Sequence, residues 1–293
     1  MSVQEDWQAL RRREIVQGCR TKKEYCQKVL HCTPRAARYA IAGGNHKRGE
    51  TVSPETLQRV IHECAKRIFS LDQTKCYQRV VRELWDVAMP RPVITSLDGA
   101  RVRRISNARA GRFIRKFEWL QSMASGTIVS YGLFVNRELL GVTCFAKNGS
   151  KQALRAIHED TTKVICLVRG ACAAHTPKEA PSFLIKAACA QAHQDYGWTH
   201  FLAYSDKSAS ERGYIYQVCG WKPLGASAQG VKKRFISPDG KTVISSYMFN
   251  KRFEPRFIAL GWDGKEGKYS FLRRLGFSEH EEKPKLRWLW VAA

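Results

Sequence analysis

The stretch over residues 198–225, WTHFLAYSDKSASERGYIYQVCGWKPLG, constrains the fold of this chain most strongly. Residues 200–205 are apolar and aromatic enough for a buried strand, and Asp206 follows where that strand ends. Ser210 is a residue type that caps helices, and the short helix it predicts carries Tyr216 and ends at a glycine. Because ligands and catalytic groups gather at strand ends in mixed α/β sheets, this unit predicts a site. The same pattern is also typical of a strand and helix whose tyrosines are core residues.

The charge of the chain points to a polyanionic partner. Its 293 residues contain 50 Lys and Arg against 26 Asp and Glu, a formal net charge of +24. This excess is larger than solubility requires, so nucleic acid is the first expectation for a partner. A membrane surface is less favoured, because no basic amphipathic helix stands apart from the rest of the sequence.

Cysteine usage and the hydropathy pattern exclude several classes of protein. The ten cysteines occur singly and form no CxxC pair, which argues against a zinc ribbon or a thioredoxin-type motif. The sequence starts with polar residues rather than a signal peptide. It contains no apolar run of the roughly 18 residues that span a membrane. Reduced thiols in a cytoplasm are therefore expected.

Residues 1–88 predict a small helical domain. Thr33-Pro34 is a cap followed by proline at the first helical position, and the helix it starts, 34–42, follows another helix after a short turn. This arrangement resembles a helix-turn-helix unit. It predicts that the second helix enters a DNA groove; a helical domain that packs on its neighbour or binds a protein is the alternative. The predicted DNA contacts are Arg35, Arg38, Tyr39, Lys47 and Arg48.

Met89-Pro90-Arg91-Pro92 predicts a domain boundary, because two prolines in three residues end a helix and demand an extended chain. Residues 89–110 are interpreted as a basic linker and residues 111–293 as a catalytic domain. The run over residues 101–116 is strongly basic. Arg112 and Arg115 within it are predicted to contact phosphate, although such a run is also typical of a solvated face.

The second domain shows the order hairpin, strand, helix, strand, helix, hairpin, which predicts an α+β fold. Two β-rich runs joined by Asn136-Arg137-Glu138 form the first hairpin, and Pro238-Asp239-Gly240 lies at the turn of the second. A basic helix over residues 268–276 follows.

Several of these residues together resemble the phage Mom DNA-modification family, whose members are relatives of the GNAT acyltransferases. The resemblance covers roughly residues 110–278. It rests on Asp206 at a strand end, a loop with a glycine, Tyr216-Gln217, two small apolar residues and Gly220-Trp221. The chain departs from the family in the loop, where Ser210-Glu211 stands in place of Gly-His. The resemblance implies a GNAT-like, mixed and mostly antiparallel sheet flanked by helices, here preceded by the helical domain.

The resemblance also implies an activity. Mom-type proteins add a carbamoylmethyl group, derived from a glycine-like unit, to the exocyclic amino group of adenine, which shields phage DNA from restriction. Double-stranded DNA in the cytoplasm of a bacterial host would then be the partner, with tRNA a second one if it carries the donor. Two alternatives remain open: an acetyl-CoA-dependent N-acetyltransferase acting on another amine, and a non-enzymatic DNA-binding regulator.

The site residues are carried over position by position. The amino group of adenine needs a proton acceptor, and a base flipped out of the duplex needs aromatic faces. The resemblance makes Asp206 a proton acceptor or metal ligand and Tyr216 the essential tyrosine of the family. Glu118-Trp119 falls where other members have His-Tyr, which implies a base or ligand followed by a stacking ring. The further candidate in the pocket is Tyr131.

Donor and metal sites follow from the same resemblance. Arg169, at a predicted strand end, and Ser182, at a predicted helix start, are the candidates for holding an acyl donor, either acetyl-CoA or an aminoacyl-tRNA. Helix starts suit anions because their free amides and dipole point at the ligand. Glu118, Asp206 and Glu211 together would form an oxygen-rich site that suits a hard cation or iron.

Overall fold

The computed structural model describes residues 18–19, 24, 28, 54–89, 91, 94–147, 151–227, 232–238, 242–249 and 251–292. The predicted helix-turn-helix lies outside these residues, and so do its predicted DNA contacts, Arg35, Arg38, Tyr39, Lys47 and Arg48. No helix in the described ranges is long and apolar enough to cross a membrane.

The strands of the described residues form two sheets. These strands are β1 Arg101–Ile105, β2 Thr127–Val135, β3 Glu138–Ala146, β4 Val164–Cys172, β5 His200–Ser205, β6 Lys222–Ala226, β7 Lys232–Ile236, β8 Val243–Ser245, β9 Ser278–Glu282 and β10 Leu286–Val291. The main sheet has the order β1-β2-β3-β4-β5-β10-β6, and the small sheet has the order β8-β7-β9. Neighbouring strands are antiparallel except β4 and β5, which are parallel. This confirms the predicted mixed, mostly antiparallel sheet.

Helices cover both faces of the main sheet. The described α-helices are α1 Pro54–Leu71, α2 Tyr77–Ala88, α3 Asn107–Phe117, α4 Lys151–Arg155, α5 Ala180–Tyr196, α6 Tyr214–Val218, α7 Glu254–Ala259 and α8 Lys268–Arg274. On one face, Leu184 of α5 packs in a core with Phe145. On the other, Ile114 of α3 packs in a core with Cys144. Side chains alternate between the faces along a strand, so adjacent residues of β3 serve different cores.

Strands β4 and β5 separate part of the way along the sheet. Their parallel pairing runs from Val164 and His200 to Leu167 and Ala203, after which β4 pairs with β3 alone. From there β5 continues to Ser205 beside β10. The two strands therefore leave an opening between them beyond Leu167 and Ala203. It places the loop after β5, which begins at Asp206, at the mouth of a gap.

Several elements differ from the prediction. Strand β1 lies in the segment predicted as a linker, where it pairs with β2 along its full length. Strand β10 was not predicted, yet it lies between β5 and β6. Helix α6 begins after Gly213 rather than at Ser210, whose hydroxyl donates to Gln73 O instead. The hairpin of β7 and β8 belongs to the small sheet rather than closing the main one.

Helices α1 and α2 dock on the C-terminal end of α3. The last carbonyl groups of a helix have no partner within it, and side chains of α1 and α2 supply hydrogen bonds here. The bonds are Gln58 Nε2 to Arg115 O at 2.9 Å, Trp85 Nε1 to Lys116 O at 2.7 Å and Gln78 Nε2 to Phe117 O at 2.7 Å, with His62 Nε2 at 3.1 Å from Lys116 O. The described part of the helical N-terminal region is therefore built onto the sheet and holds the end of α3 in place.

Candidate active site

The loop after β5 is organised by Asp206. One carboxylate oxygen, Oδ1, accepts from the Ser208 amide at 2.8 Å, and the other, Oδ2, lies 3.2 Å from Lys285 Nζ. Lys285 comes directly before β10, so the segment that leads into this strand supplies the counter-charge. Asp206 thus shapes the loop and pairs with a cation, which leaves it a weaker candidate for taking a proton from a substrate.

Glu211 joins this loop to the segment that follows α3. Its Oε2 accepts from the Asp206 amide at 2.8 Å, and its Oε1 accepts from Trp119 Nε1 at 3.0 Å. Burial raises the pKa of Glu211, although these two donors oppose the shift. Trp119 is held from its other side as well, because its amide donates to Gln78 Oε1 at 3.1 Å. The carboxylate therefore fixes Trp119 at the edge of the gap.

Glu118 is the most strongly perturbed acid of this group. It ends α3, where its amide donates to Ile114 O at 2.9 Å, and it is only 6% exposed. Burial raises its pKa to about 8, against the opposing effect of Arg169, while Glu211 adds to the increase. Arg169 Nε lies 3.5 Å from Glu118 Oε2 but donates to Ser122 O at 2.7 Å. Glu118 Oε2 consequently has no hydrogen-bond partner, in a position that water barely reaches.

Tyr216 lies across the gap in an aromatic wall. Its ring centroid is 5.2 Å from that of Trp221 and 6.0 Å from that of Trp288. Burial is the main cause of its raised pKa, with Glu211 and more weakly Glu118 contributing, which places both carboxyl groups within electrostatic range of the phenol. Trp288 Nε1 donates to Ser205 Oγ at 3.0 Å, which fixes the indole against the end of β5.

Gly213 lets this wall close. Its φ is +74°, and a Cβ atom added there would lie 2.3 Å from the Trp288 ring. A left-handed backbone and the absence of a side chain are both required, so glycine alone meets the conditions. Trp288 was missed from the sequence, although the apolar and aromatic run from Leu286 to Trp290 is a strand signal that could have located it.

The structure thus brings Glu118, Trp119, Asp206, Glu211 and Tyr216 around one gap, but not Tyr131. The Tyr131 ring is fully buried in the core under α5, and its hydroxyl donates to Asp195 Oδ2 at 2.9 Å. Alternation along β2 explains the difference, because Ser130 faces α3 through Asn107 while Tyr131 faces α5. The structure therefore does not bring Tyr131 to the gap.

The predicted metal site is not supported by the described residues. Within the described residues, no group of three or more His, Cys, Asp or Glu side chains could hold a metal ion. Glu211 uses both oxygens on N–H donors, and Asp206 is paired with Lys285. Glu118, Asp206 and Glu211 therefore do not fit a shared iron.

The residues predicted to hold the donor have partners within the protein. Arg169 lies inside β4 rather than at its end, and its guanidinium donates to Ser122 O and Val168 O. The Ser182 hydroxyl donates to Glu179 O. Two amides of the first turn of α5, those of Ala180 and Phe183, donate to backbone carbonyls, and the proline between them has no N–H. This helix start thus offers a pyrophosphate fewer amides than a typical one.

Comparison with known proteins gives one family match. The model of the Mom protein family matches residues 99–255, which include β1 to β8 and every residue of the gap except Trp288 and Lys285. None of the curated proteins compared with the chain matches it.

Solved structures that resemble the chain are acetyltransferases. An acetyltransferase of Bacillus subtilis in complex with CoA is 11% identical, with a TM-score of 0.32 over 66% of this chain and 99% of that one. A GNAT family acetyltransferase from Elizabethkingia anophelis with acetyl-CoA bound is 9% identical, with a TM-score of 0.33 over 67% and 99%. Spermidine N-acetyltransferase from Vibrio cholerae is 10% identical, with a TM-score of 0.36 over 66% and 94%. At such low scores, these likenesses carry no weight for the activity.

Proposed function

The chain belongs to the Mom protein family, and we propose that it is a transferase that modifies DNA. The proposed reaction attaches an acyl-type, glycine-derived group to the exocyclic amino group of adenine, carbamoylmethyl in its final form, and protects phage DNA from restriction. The net charge of +24 supports double-stranded DNA as the acceptor.

One observation carries this proposal: the buried carboxyl group of Glu118, with a pKa of about 8 and an oxygen that accepts no hydrogen bond from the described residues. The lone pair of an adenine amino group is delocalised into the ring, so the nitrogen is a poor nucleophile unless a base removes its proton. A base works best when its pKa lies near the working pH, and a positioned one contributes roughly 10²–10⁴-fold to the rate. Glu118 meets this condition among the residues of the gap.

The transfer step balances without a further reagent and leaves a glycyl amide on the nitrogen. The carbamoylmethyl form is an isomer of this product, so it is reached by a rearrangement that adds and removes no atoms. The amino nitrogen forms a bond to the electrophilic carbon of the donor, and one N–H proton passes to Glu118. The bond between that carbon and the leaving thiol or hydroxyl breaks, and the leaving group takes the electron pair and regains a proton. Trp119 is the stacking surface for the flipped adenine, since Glu211 fixes its ring at the edge of the gap.

The other residues of the gap shape the site and supply a hydrogen-bond donor. Tyr216 forms the opposite wall, where its phenol stays protonated and can donate to the donor group. Asp206 and Glu211 hold the loop, as their hydrogen bonds indicate. The donor is an activated acyl compound, and a coenzyme A thioester and an aminoacyl-tRNA are the two classes to compare.

A mass spectrum of nucleosides tests the proposal. DNA from cells that express the chain is digested, and deoxyadenosine is examined for the added mass of a carbamoylmethyl or simpler acyl group. The matched control is Glu118→Gln, which keeps size and fold and removes the base. Unmodified deoxyadenosine from cells that contain soluble, wild-type protein would contradict the proposal. Modification of a different amine would assign the enzyme to another acceptor.

A further inference from the structure

A second feature, a cavity of about 330 Å³, lies between α2, α3 and the adjoining ends of β3 and β4. Its lining combines positive charge with aromatic rings. The cations are Arg91, Arg109, Arg112 and Lys116, and the rings are Trp85, Phe113 and Phe117. Neither the proton transfer at Glu118 nor the aromatic wall at Tyr216 uses this cavity.

Helix α3 supplies most of the charge. Arg109, Arg112 and Lys116 follow at a spacing of three and four residues, which places them on one face of the helix. Arg109 and Arg112 are exposed, whereas Lys116 is half-buried, with its Nζ 4.8 Å from the centroid of the Trp85 ring. The helix therefore presents two solvated guanidinium groups at the mouth and an ammonium group against the aromatic floor.

The acidic residue on the lining is already paired. Glu138 Oε1 accepts from Arg91 NH1 at 2.6 Å and lies 3.5 Å from His175 Nε2. Since Arg91 balances this carboxylate, the charges of Arg109 and Arg112 remain in excess. An anionic ligand is what such a cavity favours.

The same positive surface continues along the edge of the sheet. The guanidinium of Arg103, in edge strand β1, lies 4.2 Å from the centroid of the Phe134 ring, and that of Arg109 lies 5.1 Å from it. Arg101 of the same strand is exposed too, and the alternation of side chains places it on the same face as Arg103. A row of cations leading into a cavity suits an extended anion rather than a small one, because several phosphates can be contacted at once.

The dimensions match a nucleotide. Pockets for small ligands span roughly 300–1,000 Å³, so this cavity is large enough for a single unit. Guanidinium groups match the geometry of phosphate, and aromatic rings stack on bases. Glu118 follows Arg112 by six residues, which corresponds to a distance of about 9 Å along a helix axis. This distance spans about three nucleotides at the roughly 3.4 Å rise of one DNA strand.

We infer that this cavity binds a nucleotide of the acceptor DNA strand, a few positions away from the adenine at Glu118. Arg109 and Arg112 hold the phosphate, and the base lies against Phe117 and Phe113. The inference rests on the proposed function, because it takes DNA as the acceptor. It adds a binding site that sets where the flipped adenine falls relative to the rest of the strand.

Binding of fluorescent DNA at a series of salt concentrations tests the inference without any turnover. Each phosphate contact contributes a slope of about 0.9 for duplex DNA in a plot of log affinity against log salt concentration. Arg112→Ala is expected to lower the slope by the value of about one phosphate contact. The double variant Arg109→Ala/Arg112→Ala is expected to lower it by the value of about two. Arg155→Ala, which removes an exposed arginine of α4 away from the cavity, is the matched control and should leave the slope unchanged. Equal slopes for all three variants and the wild type would overturn the inference.

A second arm identifies the source of the nucleotide. Calorimetric titration with coenzyme A should give the same affinity for the wild type and Arg112→Ala. Weaker binding by the variant would assign the cavity to the donor and overturn the inference. Failure of the proposed function gives a different result. If deoxyadenosine stays unmodified but the salt slope falls in the arginine variants, the DNA site is supported and only the proposed reaction is contradicted.

Discussion

The two ends of helix α3 differ in nearly every physical respect. Its middle and N-terminal part exposes Arg109 and Arg112 beside an open cavity, where water solvates the charges at little cost. Its C-terminal end is covered by α1 and α2 and leads to Glu118, which water barely reaches. A single helix thus joins a surface suited to attracting a polyanion to a dry position in which a carboxyl group keeps its proton to about pH 8. Recognition benefits from solvent and long-range charge, whereas proton transfer benefits from the exclusion of solvent.

The largest expected effect separates the two ends by function. Glu118→Gln should lower the rate of adenine modification by roughly 10²–10⁴-fold, because it removes the base. The salt slope of DNA binding should stay at the wild-type value, since the cations of the other end are intact. Rate and slope are measured by nucleoside mass spectrometry and fluorescence anisotropy. A modification rate within a few-fold of the wild type would exclude Glu118 as the base.

Removing the hydrogen bonds that close the C-terminal end should destabilise the protein and misplace the site. Gln78 donates to Phe117 O and accepts from the Trp119 amide. Gln78→Leu leaves both groups without a partner, at a cost of about 1–3 kcal/mol for each buried one. Urea unfolding gives the loss of stability, and the rate should fall more than DNA affinity. Gln58→Ala, whose bond to Arg115 O is exposed, is the control and should cost about 0.5–1.5 kcal/mol. Equal losses for the two variants would contradict this account of the helix end.

The pH dependence sharpens the comparison. The pKa of Glu118 rises from an ordinary 4.5 to about 8 on folding, so the folded state binds the proton more tightly. The stability contributed by this group is therefore fully present below pH 4.5 and is lost as pH rises through about 8. Over the same interval the modification rate should rise, since Glu118 must be ionised to accept a proton. Thermal unfolding and rates between pH 6 and pH 9 measure the two trends, and Glu118→Gln should flatten both. A rate that does not change with pH would argue against Glu118.

The smallest effect should come from Arg115, which the sequence placed beside Arg112 as a phosphate contact. Arg115 is exposed on α3 but does not line the cavity. Arg115→Ala is expected to change the salt slope by less than the roughly 0.9 of one duplex contact, in contrast to Arg112→Ala. Anisotropy titrations side by side measure the difference. A larger effect for Arg115 would indicate that the DNA strand contacts the opposite side of the helix rather than the cavity.

Local sequence patterns predicted the strands and turns whose formation depends mainly on neighbouring residues. The strand predicted over residues 200–205 agrees with β5, and the hairpin predicted around Asn136 agrees with β2 and β3. The start of α6 was misplaced, because the left-handed backbone of Gly213 against Trp288 depends on a residue far along the chain. Local periodicity does not show which distant strand pairs with which, so the position of β10 was not accessible.

For the site residues, the sequence predicted which ones lie together better than it predicted what each one does. Glu118, Trp119, Asp206, Glu211 and Tyr216 meet around the gap, but their individual roles depend on burial and hydrogen bonds that no motif specifies. The raised pKa of Glu118 arises from its surroundings, since burial removes water from a residue that looks like an exposed helix end in the sequence. Tyr131 lies away from the gap, on the face of β2 that packs against α5, and residue type alone does not reveal the face of a strand.

The insertion of β10 between β5 and β6 has a consequence for how the protein becomes active during synthesis. The indole behind Tyr216 and the ammonium group beside Asp206 both come from residues 285–288, about eighty positions after the loop they complete. We expect nascent chains to hold an unfinished gap until this last strand leaves the ribosome and slides into the sheet. Partial products of translation would then bind DNA through their arginines while leaving its bases untouched.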